Sequence, residues 1–175
     1  MISRFKEDRM QDELLDLVDQ DDQVIGRMAR SEIYRTGLTN FRVVNLFLVN
    51  DAGQLWIPRR TGHKRLFPLC LDVSMGGHVA AGETYEEALT RELREELNLD
   101  VRDWPVELLG ALTPYDHGVS AFMRVYQIRT ERVPSYNQRD FCEWFWMTPS
   151  GICRKIRGGA AAKDDLVKLV RHFYP

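Results

Sequence analysis

The stretch from Gly77 to Leu99 constrains this chain more than any other part of it. Gly77 is followed after five residues by Glu83; seven further residues lead to Arg91-Glu92-Leu93, then Glu95-Glu96, then Asn98-Leu99. Thr84 with Glu87 three residues later is a capping box, so a helix is expected from about Tyr85 to Leu97. Leu89, Leu93 and Leu97 recur at i, i+4 and i+8 and give that helix a buried stripe. Glu92, Glu95 and Glu96 are related by i+3 and i+4, so they project from one face, where like charges repel. A divalent cation removes that conflict. Carboxylates are hard oxygen ligands suited to Mg²⁺ or Mn²⁺, and Mg²⁺ shares itself with substrate phosphates.

Most glutamate-rich helix faces are simply solvated, and that reading suffices for Glu86-Glu87 alone. It does not suffice for the whole pattern: average residue usage at the specified positions gives a chance match on the order of 10⁻⁸ per window. The segment resembles the Nudix box, G-x5-E-x7-R-E-U-x-E-E-x-G-U, where U is a bulky aliphatic residue. The departure is Asn98, where that family has Gly. The position follows the helix end and calls for a left-handed backbone, which Asn tolerates next best after Gly. Asn98→Gly is therefore expected to be functionally neutral and modestly stabilising. More weakly, Val18-Asp19, Gly37-Leu38 and Asp51-Ala52-Gly53 are similar to the branch of the family that includes isopentenyl-diphosphate isomerase. Asp140 and Glu143 precede Trp146 by six and three residues, a placement many Nudix proteins use for acidic residues near the metals.

The resemblance implies a metal-dependent hydrolase that cleaves a diphosphate linkage by water attack on phosphorus. It implies Glu92 and Glu96 as core metal ligands, Glu95 as an auxiliary one, and the Gly76 carbonyl as a completing ligand. Arg91 would orient a helix carboxylate, and Glu83 would meet the metal or its water. Metal-bound water is the nucleophile such a site supplies. A general base is also needed, with Glu95, Asp140 and Glu143 as the candidates.

Elsewhere the pattern is that of alternating strands and short helices. Residues 1–11 are polar and charged and read as a loose arm before a single domain over residues 12–175. Strands are expected at Leu14 to Val18, from Val24, at Arg42 to Val49, Gln54 to Pro58, Leu69 to Val73, Leu108 to Leu112, Ala121 to Ile128 and Trp144 to Met147. The stretches Arg42 to Val49 and Gln54 to Pro58 flank Asn50-Asp51-Ala52-Gly53 and read as a hairpin. Ser31 is a candidate cap for a helical turn ending at Gly37, and Thr113 to Ser120 reads as a loop. Thr148-Pro149 starts a short helix ending at Gly158, and Leu166, Leu169, Val170 and Phe173 form the apolar face of a last one. The expected class is α/β, the Nudix fold, with a mixed β-sheet packed between helices as an α/β/α sandwich.

Net charge is −2, which gives no field to recruit nucleic acid or an anionic membrane. No apolar run approaches the roughly 20 residues of a membrane helix. Cys70, Cys142 and Cys153 show no pairing or zinc spacing and fit a cytoplasmic protein. The resemblance implies a small-molecule diphosphate, a nucleotide, as partner. Arg59, Arg60 and Lys64, with His63 and Arg65, form a basic loop before the box that either holds substrate phosphates or is merely solvated. Tyr115, His117, Phe122, Tyr126 and Trp144 are aromatic candidates for stacking a base, each more often core than clamp; His78 reads as a strand residue. Two other functions compete. The isomerase needs a cysteine just before a Gly/Ser-His-Pro sequence; here Met75-Gly76-Gly77-His78-Val79 puts Gly76 at that place, Cys70 is six residues too early, and Tyr34 and Asn40 stand roughly where its upstream histidines would. A non-catalytic binding module would have no need to keep Glu83, Arg91, Glu92, Glu95 and Glu96 together.

Overall fold

A computed structural model describes residues 12–175; the arm expected over residues 1–11 lies outside the described residues. The helix of the glutamate pattern, Tyr85–Leu97, has the ends its sequence specifies. Thr84 Oγ1 accepts the Glu87 N–H, and the Glu87 carboxylate accepts the Thr84 N–H, so two of the unpaired donors of the first turn are satisfied reciprocally. At the other end Asn98 adopts φ 53° and ψ 35°, the left-handed conformation expected there, and its N–H returns to Arg94 and Leu93 carbonyls. Tyr85, Ala88, Leu89, Leu93 and Leu97 bury one face of this helix against a sheet. Glu92 and Glu96 lie at the margin of that buried face rather than on the solvent side.

In chain order the strands are β1 (Leu14–Val18), β2 (Val24–Ala29), β3 (Arg42–Val49), β4 (Leu55–Arg60), β5 (Met75–His78), β6 (Val106–Leu112), β7 (Phe122–Arg129) and β8 (Phe141–Met147). The helices are α1 (Arg30–Thr36), α2 (Tyr85–Leu97), α3 (Pro114–His117), α4 (Pro149–Arg157) and α5 (Leu166–Phe173). Strands β6, β7, β3, β4 and β8 follow one another across a mixed sheet, with β5 paired to β3. β3 runs parallel to β7 over its whole length and antiparallel to β5 over Val43 to Leu46. The sheet has α2 on one face and α4 with α5 on the other, each covering its own apolar cluster. That is the α/β/α sandwich expected from the sequence. β1 and β2 form a separate ribbon, and Leu15 packs with Ile33 of α1, Phe41 and Ala121.

The expected β3–β4 hairpin is barely one: Val49↔Leu55 is the paired position, after which the strands part and β4 pairs with β8 instead. Ser74 closes the split. Its hydroxyl accepts the Leu48 N–H at 2.8 Å and donates to the Trp56 carbonyl at 2.6 Å, satisfying two backbone groups that would otherwise be buried unpaired. β5 enters beside the diverging strands and brings Gly76 and Gly77 to α2.

Four local expectations need correction. Leu69 to Val73 is not a strand: Phe67 and Leu69 have positive φ, and Leu71 makes only isolated bridges to Arg59 and Ala162. Leu71 and Val73 are apolar because this irregular stretch is buried under α4 and α5, not because it joins a ladder. The strand lies just after it, where two glycines hide the signal. Ser31 sits inside α1 rather than capping it, and donates its N–H to the Asp12 carboxylate at 3.2 Å. The loop of Thr113 to Ser120 contains α3, capped by Thr113 with Pro114 at the first helical position. The last strand starts at Phe141, three residues before Trp144.

Candidate active site

The site is built where β5 passes under α2. A Cβ placed on Gly77 would lie 2.0 Å from Glu92 Cδ and Oε1, so glycine is required for the Glu92 side chain to lie across the strand. One residue earlier, the Gly76 N–H donates to Glu96 Oε2 at 3.2 Å. The neighbouring Gly76 and Gly77 thus receive the two carboxylates that are one helical turn apart.

Arg91 organises the remaining acids. Its Nε donates to Glu83 Oε1 and its Nη2 to Glu83 Oε2, both at 2.9 Å, in the bidentate geometry that guanidinium offers a carboxylate. Nη1 donates to Glu92 Oε1 at 2.7 Å and reaches Glu95 Oε2 at 3.5 Å, while Nη2 also donates to the His78 carbonyl at 2.9 Å. Glu83 in addition accepts the Ala80 N–H at 2.9 Å. Burial pushes the Glu83 carboxyl up, but the Arg91 hydrogen bonds and the Ala80 N–H outweigh it and leave Glu83 below the usual carboxylate range. Glu92 and Glu96 behave oppositely. Burial raises both; the Arg91 charge and hydrogen bond only partly offset this at Glu92, and Glu96 is raised further by the charges of Glu92, Asp72 and Asp140.

Two buried carboxylates that resist ionisation next to one another are what a hard divalent cation relieves. Among the described residues no three His, Cys, Asp or Glu side chains are already gathered at coordinating distance. The Arg91 guanidinium instead bonds Glu83, Glu92 and Glu95. The donor set fits the group all the same: buried oxygen ligands on a helix, one turn apart, beside backbone groups of β5.

The structure also places the other residues singled out by sequence. Glu95 is the exposed acid of the group, its side chain 59% accessible. Asp140 ends a loop docked on the last turn of α2, where Asn137 N–H donates to the Glu96 carbonyl at 2.7 Å, and its carboxylate pairs with Lys64. Arg59 pairs with Glu143 and donates to the Leu69 carbonyl at 2.9 Å. Arg60 is nearly buried, with Nη1 on Asp72 at 2.8 Å and Nε on the Leu66 carbonyl at 3.2 Å. Arg59, Arg60 and Lys64 are therefore ion-paired, while His63 and Arg65 are exposed. Phe122 and Tyr126 are core residues, Tyr115 leans on Phe122, His117 on His172, and Trp144 stacks on Trp56. His78 is a strand residue whose Nε2 lies 2.9 Å from Tyr34 Oη and whose ring stacks on Phe41; burial, then the charge of Arg30, pushes it down to about 3, so it is neutral.

Asn98 carries a further correction. Its Nδ2 donates to the Ser135 carbonyl, fastening the end of α2 to the loop that carries Asp140. The expectation that glycine there would be stabilising overlooked this bond. Sequence reasoning also missed Glu13 and Asp72. Glu13 takes Arg30 Nη1 at 3.1 Å and lies 4.0 Å from His78 Nδ1; burial raises its carboxyl against the pull of Arg30 and Arg91. Nothing local marks Glu13, but Asp72 had a signal, being an acid inside the apolar run Leu69 to Val73.

Comparison with known proteins gives a consistent picture. A profile of the NUDIX domain matches residues 39–170. An uncharacterized Nudix hydrolase of Nostoc is 62% identical over 166 residues, covering 94% of this chain and 98% of that protein. The crystal structure of a Deinococcus radiodurans protein, 45% identical, superposes with a TM-score of 0.88 over 93% of this chain and 100% of that one. An isopentenyl-diphosphate isomerase of Mycolicibacterium vanbaalenii is 34% identical over 91 residues, 52% of this chain and 50% of the isomerase. At Gly76 an added Cβ would stand 2.8 Å from Asn45 Oδ1 and 3.1 Å from Val73 Cγ2, so a side chain there would require those neighbours to shift.

Proposed function

The chain belongs to the NUDIX domain family and is a Nudix-type hydrolase; from that premise we propose that it cleaves the diphosphate linkage of a nucleoside di- or triphosphate, or of a related nucleoside diphosphate derivative, with Mg²⁺ or Mn²⁺ as cofactor. The observation that carries the reading is the buried Glu92 and Glu96 pair, both raised by burial and Glu96 further by the charge of Glu92, laid across two glycines of β5. A fold needs no such arrangement for its own stability, since two like charges at i, i+4 destabilise a helix.

Glu92 and Glu96 would hold the cation, with Glu95 and the Gly76 carbonyl beside them. When bound, the cation supplies charge neutralisation for the diphosphate and an acidified water. The residues of the chain do the rest. Arg91 fixes Glu92 and Glu83 in place through its fork. Glu83, kept ionised by Arg91 and the Ala80 N–H, would meet the cation or its water. Among the three candidates for proton acceptor Glu95 is favoured: its carboxylate is exposed and meets Arg91 only at 3.5 Å, whereas Asp140 and Glu143 are tied to Lys64 and Arg59. Arg59 and Lys64 would serve the substrate by exchanging Glu143 and Asp140 for phosphate oxygens, and Arg60 would do so from its place on Asp72, which it keeps paired.

Among the described residues no helix is long and apolar enough to cross a membrane, and Cys70, Cys142 and Cys153 are free thiols; a cytoplasmic location belongs to this proposal. The test is a panel of nucleoside di- and triphosphates, sugar nucleotides, dinucleotides and isopentenyl diphosphate, with and without Mg²⁺, with products identified. The expected result is Mg²⁺-dependent release of a phosphate-containing product from one class, lost in Glu96→Gln, and no allylic isomer. Formation of dimethylallyl diphosphate, or hydrolysis that survives in Glu96→Gln, would overturn the reading.

A further inference from the structure

Lys163 lies between α4 and α5, far from the glutamate pattern in sequence. Its backbone is clasped to the irregular stretch before β5: Lys163 N–H donates to the Leu71 carbonyl at 2.9 Å, and Leu71 N–H to the Ala161 carbonyl at 2.8 Å. A parallel bridge joins Leu71 and Ala162. The clasp sets Lys163 beside Asp72, whose side chain is 3% exposed. Asp72 Oδ2 takes Arg60 Nη1 at 2.8 Å, and Oδ1 lies 3.3 Å from Lys163 Nζ while also accepting the Val73 N–H at 2.8 Å.

Charge accounting around the site singles this place out. Arg59 is matched by Glu143, Lys64 by Asp140 and Arg30 by Glu13, each cation by one carboxylate. At Asp72 two cations share one carboxylate, so a positive charge is left over. That surplus stands at the entry to β5: Val73, next after Asp72, packs against Gly76, where an added Cβ would lie 3.1 Å from Val73 Cγ2, and the Gly76 N–H donates to Glu96 Oε2 at 3.2 Å. A purely structural reading would have Lys163 serve Asp72. Arg60 and the Val73 N–H already satisfy both of its oxygens, however, and Lys163 makes the longest of the three contacts. Its side chain stays 28% exposed, and its ammonium, with three donors, meets Asp72 as an ion pair at 3.3 Å.

We propose that Lys163, anchored on Asp72 beside Arg60, binds the diphosphate group of the substrate opposite the carboxylates of α2. The assignment rests on the hydrolase reading for its substrate, but its test does not depend on turnover. Lys163→Met keeps the aliphatic stem and leaves Asp72 paired one-to-one with Arg60, so no buried charge is orphaned. Two measurements are made on the full chain with Mg²⁺: calorimetric titration with methylenediphosphonate, a non-hydrolysable diphosphate, and steady-state kinetics on the substrate found by the panel. Loss of a charge-assisted hydrogen bond predicts methylenediphosphonate affinity lower by roughly tenfold to a hundredfold. KM rises by a similar factor, kcat changes far less, Lys163→Arg restores most of the loss, and Mn²⁺ affinity by spin resonance is unchanged. Unchanged methylenediphosphonate affinity overturns the assignment. So does a parallel fall in Mn²⁺ affinity and kcat, which would mean that Lys163 acts on the fold of the carboxylate cluster. If the wild type hydrolyses nothing yet binds methylenediphosphonate through Lys163, the hydrolase reading fails and the binding assignment stands.

Discussion

Gly77→Ala adds one methyl group and should separate activity from stability. The added Cβ would stand 2.0 Å from Glu92 Cδ and Oε1 and 2.5 Å from Cγ. Ordinary contact begins at about 3.4 Å, so the Glu92 carboxylate must retreat by about 1.4 Å. The backbone has no reason to resist, because Gly77 is not among the glycines with positive φ. What gives way is the Glu92 side chain from Cγ outward, which must leave its place on Arg91. The swing breaks the 2.7 Å bond from Arg91 and takes a proposed metal ligand out of register with Glu96. Misplacement by about 1 Å in a preorganised site costs on the order of 10²-fold in rate. The fold loses one partly exposed ion pair and gains the lower unfolded-state entropy of Ala, about 0.4–1 kcal/mol. The net change in Tm should therefore stay within roughly 4 °C for a domain of this size. The assay pairs kcat/KM in saturating Mg²⁺ with a thermal melt of the metal-free protein. A variant with wild-type kcat/KM and a wild-type melt would refute the argument, because it would show that Glu92 has no need of its place across β5.

Three further outcomes follow from the same structure. Glu96 has a folded pKa raised by burial, so the folded metal-free protein holds a proton that the unfolded chain releases from its ordinary 4.5 upward; stability from this group is lost as pH rises, and Glu96→Gln should melt higher than wild type at neutral pH, gain less from Mg²⁺ and show no turnover. A melt lower than wild type in metal-free buffer at neutral pH would contradict it. Asn98→Ala loses the bond to the Ser135 carbonyl and the tolerance of Asn for a left-handed backbone, about 2 kcal/mol together, whereas Asn98→Gly loses the bond but relieves the backbone and should fall between wild type and Ala; a glycine variant more stable than wild type would show that the Ser135 bond contributes nothing. His78, neutral in the fold and held at about 3 against its ordinary 6.5, contributes stability that is present above 6.5 and lost as pH falls toward 3. Chemical denaturation of His78→Gln should therefore show a flatter acid limb, and an unchanged limb would mean that His78 titrates normally.

What the sequence makes legible here is what repeats or has local chemistry. α2 could be bounded to the residue because Thr84, Glu87 and Asn98 act within one turn of their own backbone, and the carboxylates could be placed because helical spacing alone decides their face. β5 escaped because its function contradicts its propensity: Gly76 and Gly77 weaken a strand but leave the room that Glu92 needs. The parting of β3 from β4 was equally hidden, since its closure depends on Ser74, a residue with no periodic signal, joining two strands through one hydroxyl. The pairing of the basic loop with Asp72, Asp140 and Glu143 depends on contacts across 12 to 84 positions of chain, which no local pattern encodes.

The central claim, water attack on phosphorus at the α2 carboxylates, is tested most directly by hydrolysis in ¹⁸O-labelled water. The substrate identified by the panel is turned over once in Mg²⁺, and the products are weighed by mass spectrometry. The expected result is one ¹⁸O bonded to phosphorus in a product phosphate group, none on carbon, and no product in Glu96→Gln. Label appearing on carbon, or turnover without any incorporated label, would contradict it.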